Sequence, residues 1–145
     1  MALPAPHPGL VIRTAYLWRR ELEGGREEGI KDRPCAIVLT VEDTEAEKLV
    51  TVAPITHETP SAPSAAVEIP AATKARLGLD SERSWVMVDE SNTFVWPGPD
   101  LRPIARDRPG VFAYGVLPPT LFRQVRDKLV EYYKARQHKP VRRTR

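Results

Sequence analysis

The sequence predicts one mainly β domain with short helices, either a strongly bent sheet or a small barrel, with a late helix packed on it. Short apolar runs rich in β-branched residues follow one another along most of the chain. A long amphipathic pattern comes only after them. The 15 prolines cluster in arms and loops rather than inside these elements. This order is typical of a sheet covered by one terminal helix.

The predicted strands share a partial alternation of apolar and polar residues and are bounded by turn-forming residues. They cover residues 9–18, 33–40, 48–55, 67–69, 84–90 and 112–117. Between the first two lies RRELEGGREEGIKD, a polar stretch with three glycines, which indicates a long mobile loop.

Two helices are predicted. The first covers residues 70–78, with Pro70 in its first turn and Gly78 as its C-terminal stop. The second covers residues 118–136 and starts at a proline pair. Its apolar residues lie on roughly one helical stripe: Leu121, Phe122, Val125, Leu129, Tyr132 and Tyr133.

The chain of 145 residues and 16.3 kDa has the size of a single domain. We expect a Pro-rich arm at 1–8, one domain at 9–135 and a basic, disordered tail at 136–145. The last twelve residues contain six Lys and Arg and no acid. The rest has 16 basic against 19 acidic residues, a net charge of −3. Any site for an anionic partner must therefore be local, while the tail is either a solubilising terminus or a weak nucleic-acid contact.

Several classes of protein are disfavoured. No apolar run is long enough to cross a bilayer and the start lacks a signal-peptide pattern, so we expect a cytoplasmic protein. Cys35 has no partner for an internal disulfide and lies in an apolar run. The histidines show no paired metal-ligand spacing, and phosphate-loop, dinucleotide and nucleophile-elbow motifs are missing. We expect neither a metal nor a cofactor.

Three sequence blocks, in order and spacing, resemble the MazF/PemK toxin family. They are Pro8-Gly9-Leu10-Val11-Ile12, the run Lys31-Asp32-Arg33-Pro34-Cys35-Ala36-Ile37-Val38-Leu39, and Val52-Ala53-Pro54-Ile55-Thr56. Leu77-Gly78-Leu79 followed by Ser84-Trp85-Val86-Met87-Val88-Asp89, and then Tyr114-Gly115-Val116-Leu117, resemble the family's later segments. The resemblance covers residues 8–133.

The resemblance implies an SH3-like barrel of the MazF/PemK/CcdB type with a C-terminal helix. It further implies a homodimer that binds single-stranded RNA along its groove and is neutralised by a cognate antitoxin. The expected activity is that of a type II toxin, a metal-independent endoribonuclease that cleaves mRNA through the ribose 2′-hydroxyl. Two alternatives remain open: a same-fold inhibitor of DNA gyrase, and a catalytically inactive nucleic-acid or protein-binding module.

Arg33 and Thr56 are the main catalytic candidates. The planar, permanently charged guanidinium of Arg33 suits two phosphate oxygens and would stabilise a pentavalent transition state. The Thr56 hydroxyl would donate to a non-bridging oxygen. The alternatives are an Arg33 paired with Asp32 or a loop glutamate, and a Thr56 that caps a turn.

His57 and Glu28 complete the expected catalytic set. An imidazole can act as acid or base, so His57 would serve in either role, or else it is a solvated loop histidine at a position where family members often have a small polar residue. Glu28, or its neighbour Glu27, would accept the 2′-hydroxyl proton. The expected RNA contacts are Lys31, Arg26, Ser84 and Trp18, the last through base stacking unless its ring belongs to the core. Glu90 stands where the family often has Gln, which would alter base recognition or the dimer contact.

Overall fold

The computed structural model describes residues 3–25, 31–42 and 48–143. The strands in these segments are β1 (Leu10–Ala15), β2 (Asp32–Glu42), β3 (Lys48–Thr56), β4 (Ala66–Glu68), β5 (Trp85–Met87), β6 (Glu90–Trp96), β7 (Leu101–Arg102), β8 (Ala113–Val116) and β9 (Lys139–Arg142). The helices are α1 (Arg19–Glu23), α2 (Ala71–Leu77) and α3 (Pro119–Lys134), and a 3-10 turn covers Pro63–Ala65.

The sheet is built around β1, β2 and β3, which pair antiparallel in that order. One side of β3 pairs with β6 and, further along, with β5, while β1 pairs with β7 and β8. A register shift between Ile37 and Leu39 interrupts the pairing of β2 with β3, and such bulges bend a strand. The predicted mainly β fold is confirmed. Among the described residues, β4 and β7 end the strand path without pairing to each other, so the sheet stays open.

Apolar side chains fill both faces of the central strands because successive residues point to opposite sides. Ala36, Ala53 and Ile55 belong to the core beneath α3, whereas Cys35 and Val52 belong to the second core. The second core also contains the aromatic side chains Tyr16, Trp18, Phe94 and Trp96. Each fully buried aliphatic side chain contributes roughly 1.5–3 kcal/mol. The ends of β2 and β3 are therefore held from both faces.

Helix α3 packs on the first core, as the sequence predicts. It begins at Pro119, whose missing N–H costs nothing in the first turn. Leu121 and Val125 are buried, but Tyr133, which the sequence placed on the same stripe, is 68 % exposed and does not belong to the buried face. Within the described segments, no helix has both the length and the apolar character that a bilayer crossing requires.

Two segments predicted to be irregular contain regular structure. Residues 19–23 form α1 within the predicted loop. Lys139–Arg142, part of the predicted disordered tail, form β9, which pairs parallel to β6. Arg143 is buried: its Nη2 lies 2.9 Å from Asp100 Oδ1, and its Nη1 donates to the Ala15 carbonyl at 2.5 Å. The expectation of disorder was wrong for 139–143 because a buried carboxylate compensates the buried guanidinium, which charge counting along the chain does not reveal.

Candidate functional site

The ends of β2 and β3 bring Arg33 and Thr56 to one face of the sheet. Cys35 is paired with Pro54 in the antiparallel register. Continuing that register by two residues puts Arg33 opposite Thr56. Residues two apart on a strand share a face, so both side chains lie on the side of Cys35 and Pro54.

A tryptophan positions the Arg33 guanidinium. The Cζ atom of Arg33 lies 4.9 Å from the centroid of the Trp18 ring, and that of Arg20 lies 4.8 Å from it. Trp18 is 7 % exposed, and its ring meets Tyr16 edge-on. Within the described segments, no hydrogen-bond partner reaches the buried Nε of Arg33. Two guanidiniums thus lie over one buried ring, an arrangement that cation–π attraction favours.

The predicted alternative partner of Arg33 is engaged elsewhere. Asp32 Oδ1 lies 3.5 Å from Arg102 Nε, across the pairing of β1 with β7. The strand directions explain this, because neighbouring residues on β2 point to opposite faces. The charge of Arg33 is thus not cancelled by the adjacent carboxylate.

Two side chains of β6 clamp the segment that carries Trp18. Glu90 Oε1 accepts hydrogen bonds from the Tyr16 hydroxyl and the Arg19 N–H, both at 3.0 Å. Asn92 accepts from the Leu17 N–H and donates to the Leu17 carbonyl, both at 2.8 Å. Burial raises the pKa of Glu90, against the lowering effect of the two hydrogen bonds it accepts. The clamp fixes the backbone on both sides of the tryptophan.

Thr56 opens onto a cavity of about 310 Å³. Its hydroxyl oxygen accepts the Glu58 N–H at 3.1 Å, which is the turn-capping contact predicted as the alternative role. Since that bond uses only the oxygen, the hydroxyl hydrogen remains available to an acceptor in the cavity. The cavity is also lined by Trp18, Arg20, Glu58, Asp89 and Glu90.

The comparison with known families agrees with this geometry. Residues 16–95 match the model of the PemK-like, MazF-like toxins of type II toxin–antitoxin systems. The chain belongs to this family. The match spans more than half of the chain and includes both strand ends that carry Arg33 and Thr56. No curated protein matches the sequence of this toxin.

The structure of this PemK/MazF-like toxin describes only some of the catalytic and RNA-contacting residues that were predicted in and beside the loop before β2. Arg26, Glu27 and Glu28 lie outside the described residues. Lys31 is exposed and directly precedes β2, at the same end of the sheet as Arg33. Trp18 lies at the site, but as a buried ring beneath two guanidiniums rather than as an open surface for a base.

The toxin holds His57 and Ser84 at a different cavity, of about 270 Å³. His57 directly follows Thr56 but lies in the bend where β3 ends, and its ring points toward the connection between α2 and β5. Its Nε2 lies 2.8 Å from Asp80 Oδ2, and its Nδ1 lies 3.0 Å from Ser84 Oγ. Ser84 is 1 % exposed and also accepts from Lys74. His57 and Ser84 thus lie at a cavity other than the one beside Thr56, and their roles as catalytic residue and RNA contact stay predictions.

Sequence reasoning missed the roles of four residues in and around the toxin's site. Arg20 and Asn92 carry no local signal, because their partners are distant in sequence or depend on the turn into α1. Glu90 was singled out for a role toward RNA or the dimer, whereas in the structure it holds the Trp18 segment. Lys74, buried within the His57 cluster, lay in a helix whose pattern gave no sign of burial.

Proposed function

We propose that this toxin is an endoribonuclease that cleaves single-stranded RNA, mRNA in particular, without a metal ion. The observation that carries the proposal is the common face of Arg33 and Thr56 at the ends of neighbouring strands. Arg20 and Thr56 line the same cavity, and Arg33 shares the Trp18 ring with Arg20, so a phosphodiester bound there would meet guanidinium and hydroxyl donors together. RNA supplies its own nucleophile, the ribose 2′-hydroxyl, so no covalent protein intermediate is needed.

Arg33 stabilises negative charge in the proposed reaction. Its guanidinium is held by the Trp18 ring and is not paired with Asp32. A positioned cation of this kind acts on the charge that develops on the phosphate oxygens in the pentavalent transition state. A guanidinium stays protonated in proteins and is a poor proton donor, so the role of Arg33 is electrostatic.

Thr56 and a loop glutamate act as hydrogen-bond donor and general base in the proposed reaction. The Thr56 hydroxyl donates to a non-bridging oxygen while its own oxygen stays bonded to the Glu58 N–H. Glu28, or Glu27 beside it, takes the proton from the 2′-hydroxyl as the 2′-oxygen bonds to phosphorus. The bond from phosphorus to the 5′-oxygen breaks, and that oxygen takes up a proton from solvent or a protonated loop group. The products are a 2′,3′-cyclic phosphate and a 5′-hydroxyl end.

The partners follow from the same assignment. A type II toxin has a cognate protein antitoxin, which we infer covers the RNA site, with the toxin acting as a homodimer. Lys31, exposed at the start of β2, and Arg26 would contact RNA phosphates. Such contacts weaken as salt concentration rises.

Cleavage in a chelator tests the proposal. Purified toxin is incubated in EDTA with end-labelled single-stranded RNA of mixed sequence, beside Arg33→Ala and Thr56→Ala. The matched controls are Arg123→Ala and Thr120→Ala, exposed residues of α3. Cleavage that survives EDTA, ends in a cyclic phosphate, and is lost only in the first two variants supports the proposal.

Other outcomes contradict it. RNA binding without cleavage by the folded wild-type chain would identify a binding module. Inhibition of DNA supercoiling without RNA cleavage would identify a gyrase inhibitor. Equal cleavage by Arg33→Ala and the wild type would remove the chemical basis of the proposal.

A further inference from the structure

A second polar cluster lies where β3 ends, at a cavity other than the one beside Thr56. His57 meets Asp80 and Glu82, which belong to the connection between α2 and β5. His57 Nε2 is 2.8 Å from Asp80 Oδ2 and 4.0 Å from Glu82 Oε2. One donor atom from each of the three side chains lies within 4.8 Å of the others. An imidazole nitrogen and two carboxylate oxygens thus converge at the surface.

The other ring nitrogen of His57 has partners of its own. Nδ1 lies 3.2 Å from the Arg83 carbonyl oxygen and 3.0 Å from Ser84 Oγ. Histidines that bind metals commonly donate their second ring N–H to a carbonyl or a similar acceptor, which fixes the ring and leaves the first nitrogen free to coordinate. The orientation of His57 agrees with that arrangement.

Asp80 is also held by hydrogen bonds to its other carboxylate oxygen. Its Oδ1 accepts from Lys74 Nζ at 2.8 Å and from the Glu82 N–H at 3.1 Å. Lys74 is buried and donates further to Ser84 Oγ and the Glu82 carbonyl. These bonds occupy Oδ1 and leave Oδ2 facing His57. The ammonium charge opposes a bound cation, so we expect moderate rather than tight affinity.

Arg83, the other nearby cation, faces elsewhere. Its guanidinium makes two hydrogen bonds of 2.8 Å to the Glu68 carboxylate and lies over the Trp85 ring. It does not compensate the two carboxylates of the cluster. Asp80 and Glu82 therefore bring two negative charges against the single charge of Lys74.

We propose that His57, Asp80 and Glu82 bind a divalent transition-metal ion, with Zn²⁺ preferred over Mg²⁺. Metal–ligand distances of about 2.1 Å hold donor atoms about 3.4 Å apart in a tetrahedral site. The distances of 2.8 and 4.0 Å from His57 Nε2 need only small side-chain rotations to reach that spacing. Imidazole favours zinc, whereas magnesium prefers oxygen ligands alone. The ion would join the end of β3 to the connection between α2 and β5.

Calorimetry with Zn²⁺ on the metal-stripped full-length protein tests this site without RNA. We expect saturable binding of one ion per chain, abolished by His57→Ala and weakened at least about 10-fold by Glu82→Gln. Both side chains are exposed, so neither change should prevent folding. The matched controls, His7→Ala and Glu58→Gln, are exposed residues outside the cluster and should bind as the wild type does. Zinc should raise the Tm of the wild type but not of His57→Ala.

Three results would overturn the site: no saturable zinc binding, equal binding by His57→Ala, or an affinity for Mg²⁺ that matches that for Zn²⁺. Because these measurements use no RNA, their failure leaves the proposed nuclease untouched. Conversely, absence of cleavage leaves the metal site standing.

Discussion

The guanidinium of Arg33 lies over the indole ring of Trp18, with Cζ 4.9 Å from the ring centroid. Trp18 is in turn held by bonds from β6 to the residues on either side of it. The position of the proposed catalytic cation therefore depends on an aromatic ring 15 residues earlier in the chain. A substitution of Trp18 can therefore test the position of Arg33 without removing Arg33 itself.

Replacing Trp18 by Leu should reduce RNA cleavage while the protein stays folded. The change removes the ring beneath Arg33 and keeps an apolar side chain in the core. Loss of one desolvated cation–π contact, about 1.4 kcal/mol, corresponds to about a 10-fold lower kcat/KM. The matched control is Trp96→Leu, in the same core but outside the Arg33 contact. If both variants lose activity in proportion to their loss of stability, the ring does not position the cation.

Cys35 should resist thiol reagents in the folded protein. Burial raises the pKa of its thiol to about 12, although a bond to Thr14 and the charge of Arg33 lower it. The thiolate is the reactive form, so a disulfide reagent at pH 8 should react only after denaturant unfolds the chain. A Leu39→Cys variant provides the control because Leu39 is 52 % exposed, and its added thiol should react at once. Rapid modification of the native wild type would contradict the burial of Cys35.

Local sequence patterns predict the strands and helices of this fold better than they predict the contacts between them. The apolar runs in residues 33–40 and 48–55 reflect strands buried on both faces, and the stripe of α3 reflects a helix buried on one side; the sequence records both patterns directly. The pairing of Cys35 with Pro54 is a matter of register. Register depends on bulges and turns, so the position of Arg33 opposite Thr56 required the structure.

Contacts between distant residues explain the remaining differences. The Glu90 clamp joins β6 to residues 16 and 19, more than 70 positions earlier. The sequence did not predict β9, because its charged residues resemble a solvated tail. The contact between Asp100 and Arg143 is visible only in the structure. His57 lies in the bend where β3 ends, so alternation along the strand does not give the direction of its ring. The resemblance to the toxin family suggested the active end of the sheet, not the direction of each side chain.

The C-terminal segment should contribute to stability through Arg143. The change Arg143→Ala removes the guanidinium that lies 2.9 Å from the buried Asp100 carboxylate. Breaking a buried ion pair from one side costs about 3–5 kcal/mol. Urea denaturation should show this loss, whereas Arg142→Ala, an exposed neighbour on β9, should stay within about 0.5 kcal/mol of the wild type. Equal stability of the two variants would mean that β9 does not hold this segment in solution.

The stability of the protein should depend on pH through Glu90. Burial raises the pKa of this carboxyl in the folded protein above its ordinary value of 4.5. Between those two values the folded chain binds more protons than the unfolded chain, so this group makes the protein less stable as pH rises. Glu90→Gln removes the titration, yet the amide oxygen can still accept from the Tyr16 hydroxyl and the Arg19 N–H. The urea midpoint of the variant, relative to that of the wild type, should therefore increase from pH 4.5 to pH 8. Glu58→Gln, an exposed control, should show no such trend. A difference between Glu90→Gln and the wild type that is constant with pH would show that Glu90 ionises normally in the fold.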